Sequence, residues 1–196
     1  MRTSRQGFLG AVLLLGALAA NAQVSRPSAA APPGAVPLTS LIATVAQKTG
    51  RKFVLDPRVR AVVTLVGADP SSVTYDQLLA ILDTYGFAAI DTSGYVEVVP
   101  LPEVRQAPLP LVSEHEARPD NQYVTAVIHV RSLPAAYLVP ILRPMVPQWG
   151  HLVAMPCGNT LIIVDRFANV RLMESIVKAM DTGAPITLPK CAPMSQ

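Results

Sequence analysis

Ionisable and reactive side chains are scarce in this sequence. Charged residues make up 15% of the chain, and it has 3 histidines and 2 cysteines. That scarcity excludes several kinds of chemistry. His115, His129 and His151 fall at spacings that match no metal signature, such as two histidines on one helical face. There is no glycine-rich phosphate loop, no serine flanked by elbow glycines and no cysteine pair of zinc spacing. The 16 basic residues nearly balance the 13 acidic ones, and Arg2 and Arg5 sit in the first few residues. The remainder is close to neutral and shows no basic stripe, so it lacks the electrostatic footprint of a nucleic-acid binder. These absences read as a protein that is not an enzyme, with no cofactor, no metal site and no nucleic-acid partner. The weak exception is Cys157 with His151, a thiol and an imidazole placed in one hairpin, which an exported hydrolase could use.

The chain's start is informative. After Arg2 and Arg5, residues 8–20 are apolar and carry no charge, and Ala20-Asn21-Ala22 ends the run with small residues. This reads as a cleavable secretory signal over residues 1–22. The run is short for a membrane span, and Pro27, Pro32 and Pro33 follow it. No cysteine follows to accept a lipid, so no direct membrane attachment is expected after cleavage. In an oxidising exported compartment Cys157 and Cys191 are a candidate disulfide. Sequence leaves open whether they pair, because pairing depends on geometry.

Beyond the signal, residues 23–37 are rich in Ala, Pro and Ser and read as a flexible spacer. Residues 38–50 form an amphipathic helix with Leu38, Leu41, Ile42 and Val45 on one face, Thr39 or Ser40 as cap and Gly50 as stop. Two short strands follow, RKFVL and AVVTLV. The second is apolar on both faces apart from Thr64, which fits either a buried central strand or an edge open to a partner. Val62, Thr64 and Val66 are its candidate partner-binding positions. Thr74 and Gln77 have the spacing of a capping box, Leu78, Leu79 and Leu82 give that helix its stripe, and Gly86 ends it. A hairpin turning at Ser93-Gly94 closes a first unit over residues 38–100.

Residues 101–121 hold Pro102, Pro108, Pro110 and Pro119, follow Pro100, and read as an inter-domain linker. The second unit, residues 122–181, opens on a strand in which Val124, Ala126, Ile128 and Val130 alternate with Tyr123, Thr125, Val127 and His129. Ser132 then caps a helix with Leu138, Ile141, Leu142 and Met145 inward and with Pro140 shortening it. A hairpin around Cys157-Gly158-Asn159 leads to a last helix capped by Asp165, with Leu172, Met173, Ile176, Val177 and Met180 inward. Residues 182–196 read as a tail. The whole is α+β: two small domains, each with two helices over a small sheet. The second resembles the KH plan but has no Gly-x-x-Gly loop for phosphates.

Phrases in both units resemble one family. TGRKFVLDPRVRAVVTLV and YDQLLAILDTYGFAAIDTSGYVEVVP lie in the first; VIHVRSLPAAYLVPILRPMV and NTLIIVDRFANVRLMESIVKAMD lie in the second. Their order and spacing are similar to those of the two amino-terminal periplasmic domains of bacterial type II secretion secretins. The resemblance implies a first domain like the signalling domain of TonB-dependent receptors and a second, ring-building domain of KH-like topology. It also implies a periplasmic assembly or adaptor module that binds a secretin ring or the inner-membrane platform protein, with self-association through the second domain. A regulatory signalling module of a TonB-dependent pathway is the alternative. Two departures are expected to matter. No barrel-like run of alternating strands follows, so no pore is expected. Ala-Pro-Pro-Gly occupies the place of the family's first strand, which is expected to alter the edge used for partners.

Overall fold

Residues 34–113 and 116–187 are described in the computed structural model. The signal, most of the spacer, Glu114, His115 and the end of the tail with Cys191 lie outside the described residues. The expected fold class holds: α+β, with short strands and four α-helices in the described residues.

The first domain starts with a correction. Residues that looked too rich in proline for a strand form β1 (Ala35–Pro37), which pairs antiparallel with a later strand. Proline is tolerated because Pro37 is the last residue of an edge strand, where its missing N–H costs no ladder bond. Gly34 turns the chain into β1 at φ +83°, and a Cβ there would lie 2.8 Å from the Leu65 carbonyl oxygen. Helix α1 (Leu38–Thr49) follows at once, so neither Thr39 nor Ser40 can cap it; Pro37 is the N-cap and makes no side-chain bond. Its buried residues are Leu38, Leu41, Ile42 and Val45, the stripe read from spacing.

Strand β2 (Phe53–Leu55) and strand β3 (Val62–Thr64) go to different sheets. Helix α2 (Tyr75–Thr84) carries the full capping box: Thr74 Oγ1 accepts the Gln77 N–H, and Gln77 Oε1 accepts the Thr74 N–H. Gly86, at φ +83°, reverses the chain after it, a backbone state that costs other residues more. Strands β4 (Phe87–Thr92) and β5 (Tyr95–Pro100) form the expected hairpin. The result is a two-stranded sheet, β1-β3, and a three-stranded sheet ordered β2-β5-β4, in which β2 runs parallel to β5. Leu38, Leu41, Val45, Leu78, Leu82 and Val98 fill the core between helices and sheets.

The proline-rich connection is packed against its surroundings. A 3-10 helix spans Leu101–Gln106 and buries Leu101 and Val104. Strand β6 (Leu111–Val112) then pairs parallel with β7 (Tyr123–His129) of the second domain. Two residues of ladder need few donors, so neighbouring prolines do not prevent it.

In the second domain β7 buries Val124, Ala126 and Ile128 as the alternation requires. Helix α3 (Ala135–Leu142) ends two residues after Pro140 and continues as a 3-10 turn, Arg143–Met145. Ser132 does not cap it. Instead the Ser132 N–H and Oγ–H donate to Asp181, while Pro134 holds the cap position. Strands β8 (His151–Met155) and β9 (Thr160–Arg166) make the hairpin, and helix α4 (Phe167–Met180) closes the unit. Asp165 also fails as a cap: it is a fully buried strand residue, and Arg166 holds the cap position without a side-chain bond to the helix. The sheet is ordered β6-β7-β9-β8, giving the KH-like strand–helix–strand–strand–helix path plus one added strand. Leu138, Leu142 and Met173 enter its core, but Ile141 and Leu172 are each 50% exposed. Those two sit at the borders of their stripes, beyond the reach of a single sheet face.

A third apolar cluster joins the domains. Ala88, Leu101, Val104 and Tyr123 are buried together, with Leu109 and Trp149 packed against them.

Candidate partner-binding surface

The candidate surface is built on β3. It pairs with β1 in a register that sets Val36 opposite Val63, with Thr64 opposite Ala35 and Val62 opposite Pro37. The flanking bonds, Leu38 N–H to the Ala61 carbonyl at 2.9 Å and Leu65 N–H to the Gly34 carbonyl at 3.3 Å, fix which groups face β1. By the alternation of an antiparallel ladder, the N–H and C=O of Val62 and Thr64 point the other way. Sequence had allowed a buried central strand; β3 is an edge of a two-stranded sheet.

That edge is partly closed. Tyr85 Oη, at the end of α2, accepts the Thr64 N–H at 3.0 Å. Thr64 is therefore held, and Val62, 57% exposed, is the open position of the edge. Val66 lies past the end of the strand and is 91% exposed. Beside Val62 a shallow groove of about 370 Å³ is lined by Pro37, Thr39, Val59, Arg60 and Ala61. Apolar wall and free backbone groups are the two things an added strand needs. Tyr85 was missed at the sequence level, since nothing local marks a hydroxyl twenty-one residues away as a strand's partner.

Electrostatics around this face are modest. Arg58 grips Asp56 through two nitrogens and also reaches Glu103. The Arg58 guanidinium lowers the Asp56 carboxyl to about 2. Arg58 thus ties the turn after β2 to the connecting segment.

The other candidate residues fall elsewhere. Cys157, in the turn between β8 and β9, is disulfide-bonded. A thiol in a disulfide is no nucleophile, so the Cys157–His151 hydrolase reading fails. His129 and His151 are exposed strand residues. Among the described residues, no group of three or more His, Cys, Asp or Glu is placed to hold a metal ion.

The two domains match two family models. Residues 35–98 match the model described as "GspD-like, N0 domain", and residues 125–185 match "Bacterial type II/III secretion system short domain". These are secretin amino-terminal domains. Secretin XcpQ of Pseudomonas aeruginosa is 32% identical over 195 residues, covering 91% of this chain and 29% of the relative. Secretin PulD of Klebsiella pneumoniae is 27% identical over 151 residues, covering 74% of the chain and 23% of the relative. The chain thus spans less than a third of the length of these secretins. Among solved structures, the K. pneumoniae type II secretion system outer-membrane complex of PulD, PulS and the PulC HR domain is similar. There the TM-score is 0.64 at 25% identity, over 76% of this chain and 26% of that one. Secretin amino-terminal domains are structural, periplasmic parts of secretion complexes. Among the described residues no helix is long and apolar enough to cross a membrane.

Proposed function

We propose that this secretin-like chain is a non-enzymatic periplasmic assembly or adaptor module of a type II secretion system. It docks on a secretin ring or on the periplasmic part of the inner-membrane platform protein. The observation that carries this reading is the half-open β3 edge, with Val62 exposed beside a groove and Val66 exposed past the strand's end, on a domain of the secretin family. Val62 and Val66 supply apolar contact, and the backbone of Val62 supplies the hydrogen bonds of an added strand. Thr64 lends its side chain while Tyr85 keeps its N–H. The similar solved complex holds PulD together with PulS and the PulC HR domain, which supports a partner from the same secretion system.

The test is a pull-down with the full exported chain against the cognate secretin and the platform protein's periplasmic region, repeated with Val62→Lys and Val66→Lys. Wild type should enrich one of them and the lysine variants neither, with unchanged thermal melting, because exposed substitutions shift stability by only about 0.5 kcal/mol. Enrichment of neither partner by wild type sinks the proposal.

We also infer that Cys157 pairs with Cys191, which tethers the tail to the β8–β9 turn. Thiol labelling of the unfolded, unreduced protein should find no reactive cysteine, and a labelled Cys191 would refute the pairing.

A further inference from the structure

The junction between the domains has a division of labour. On the first domain, two carboxylates face the second: Asp83 near the end of α2, and Asp91 in β4. On the second domain, three side chains donate to them. Tyr123 Oη donates to Asp83 Oδ1 at 2.8 Å, and Arg166 Nη1 donates to Asp83 Oδ2 at 3.1 Å. Gln122 Nε2 donates to Asp91 Oδ2 at 2.9 Å. Every acceptor is on one domain and every donor on the other. Gln122 immediately precedes β7, Tyr123 opens it, and Arg166 ends β9, which pairs with β7 in a register that sets Tyr123 opposite Arg166. The second domain therefore meets both carboxylates with one corner of its sheet.

Two of the three donors are sheltered. Tyr123 and Gln122 are each 3% exposed. Burial and the Asp83 carboxylate push the Tyr123 hydroxyl well above its ordinary range, so it stays a donor. Asp91 is also held from its own side by Arg51 Nη1 at 3.1 Å. From the connection, Arg105 Nη2 donates to the carbonyls of Gln148 and Gly150, just before β8.

Domains in one chain move against each other unless their interface is large and apolar. Here the apolar part is four buried residues. A cluster that small tolerates sliding, whereas bonds to fixed carboxylates have a direction and are strengthened by charge. We propose that Asp83 and Asp91 are positioning residues: an acceptor pair that latches the second domain in one orientation and so holds the β1–β3 edge at a fixed angle to it. The latch does not depend on which partner the edge binds.

The test is residual dipolar coupling of the full exported chain, fitted separately for residues 38–100 and 122–181. In wild type both sets should fit one alignment tensor. With Asp83→Ala and Asp91→Ala together they should need two, of unequal magnitude, while amide shifts inside each domain keep their dispersion. Asp83→Glu with Asp91→Glu keeps both carboxylate oxygens and their charge and should restore the single tensor, which a merely destabilised junction would not do. If the double alanine variant loses dispersion in either domain, Gln122→Ala, Tyr123→Phe and Arg166→Met together remove the three donors instead and should again give two tensors. Two tensors in wild type, or one in every folded variant, would overturn the latch. Because no partner is present, the result stands apart from the pull-down above.

Discussion

The two domains use similar material in opposite ways. The first divides five short strands between two sheets, leaving each sheet with edges and β3 with an outward row of backbone groups. The second gathers four strands into one sheet and backs it with both helices, with the connecting segment adding β6 against β7. A divided sheet exposes more backbone per residue and offers places to add a strand. A single backed sheet concentrates its burial in one core. The difference leaves the open strand edge on the first domain and one continuous sheet-and-helix core in the second.

The largest effects should come from the two cores. Leu138→Ala in the second domain and Leu82→Ala in the first each remove a fully buried leucine, at about 3 kcal/mol by analogy with measured core truncations. Hydrogen exchange should show each loss first in its own domain; identical loss in both after either change would break the comparison. Asn159→Leu comes next. Its side chain donates to the carbonyls of Val130 and Leu133 and accepts the Ala135 N–H, all beneath α3. Leaving those buried groups unpaired should cost about 2 kcal/mol in chemical denaturation. Asn159 also has φ +44°, which a leucine adopts less readily. The first domain has no equivalent buried polar node among its described residues, which is the contrast this change measures.

A smaller effect belongs to the first domain. Thr74→Ala removes one half of the capping box and should lower stability by about 1 kcal/mol, with Thr74→Asn nearly neutral. The smallest separates two carboxylates of the second domain by sign. Hydrogen bonds from Ser132 lower the Asp181 carboxyl, so its contribution is present above the unfolded value and lost as pH falls through the folded one. Burial raises the Asp165 carboxyl, so its contribution is full below the unfolded value and lost as pH rises through the folded one. Melting from pH 2 to 7 should therefore show a smaller acid-side fall in Asp181→Asn and lose an opposing slope in Asp165→Asn. Identical pH profiles for the two variants would refute this assignment.

Some of this was readable without coordinates. The stripe of Leu38, Leu41, Ile42 and Val45, the Thr74–Gln77 box and the alternation of β7 are local patterns with local causes. The caps expected at Ser132 and Asp165 failed because each residue met a distant group: Asp181 for one, a buried strand position for the other. Tyr123 was placed on the outward face of its strand by alternation, yet it is buried, because the first domain covers that end of the sheet. Of the candidate surface, Val62, Thr64 and Val66 were visible as an unusual apolar strand. Tyr85, which closes part of that edge, was not.

By itself the sequence determined the α+β class, the helix faces, the hairpin turns and the order of two small units, because spacing and backbone preference act over a few residues. Only the tertiary structure decided that β3 is an edge, that Pro37 ends a strand, and that Asp83 and Asp91 meet the second domain. Those outcomes depend on which distant backbone and side-chain groups find each other, and residue spacing along the chain does not encode that choice.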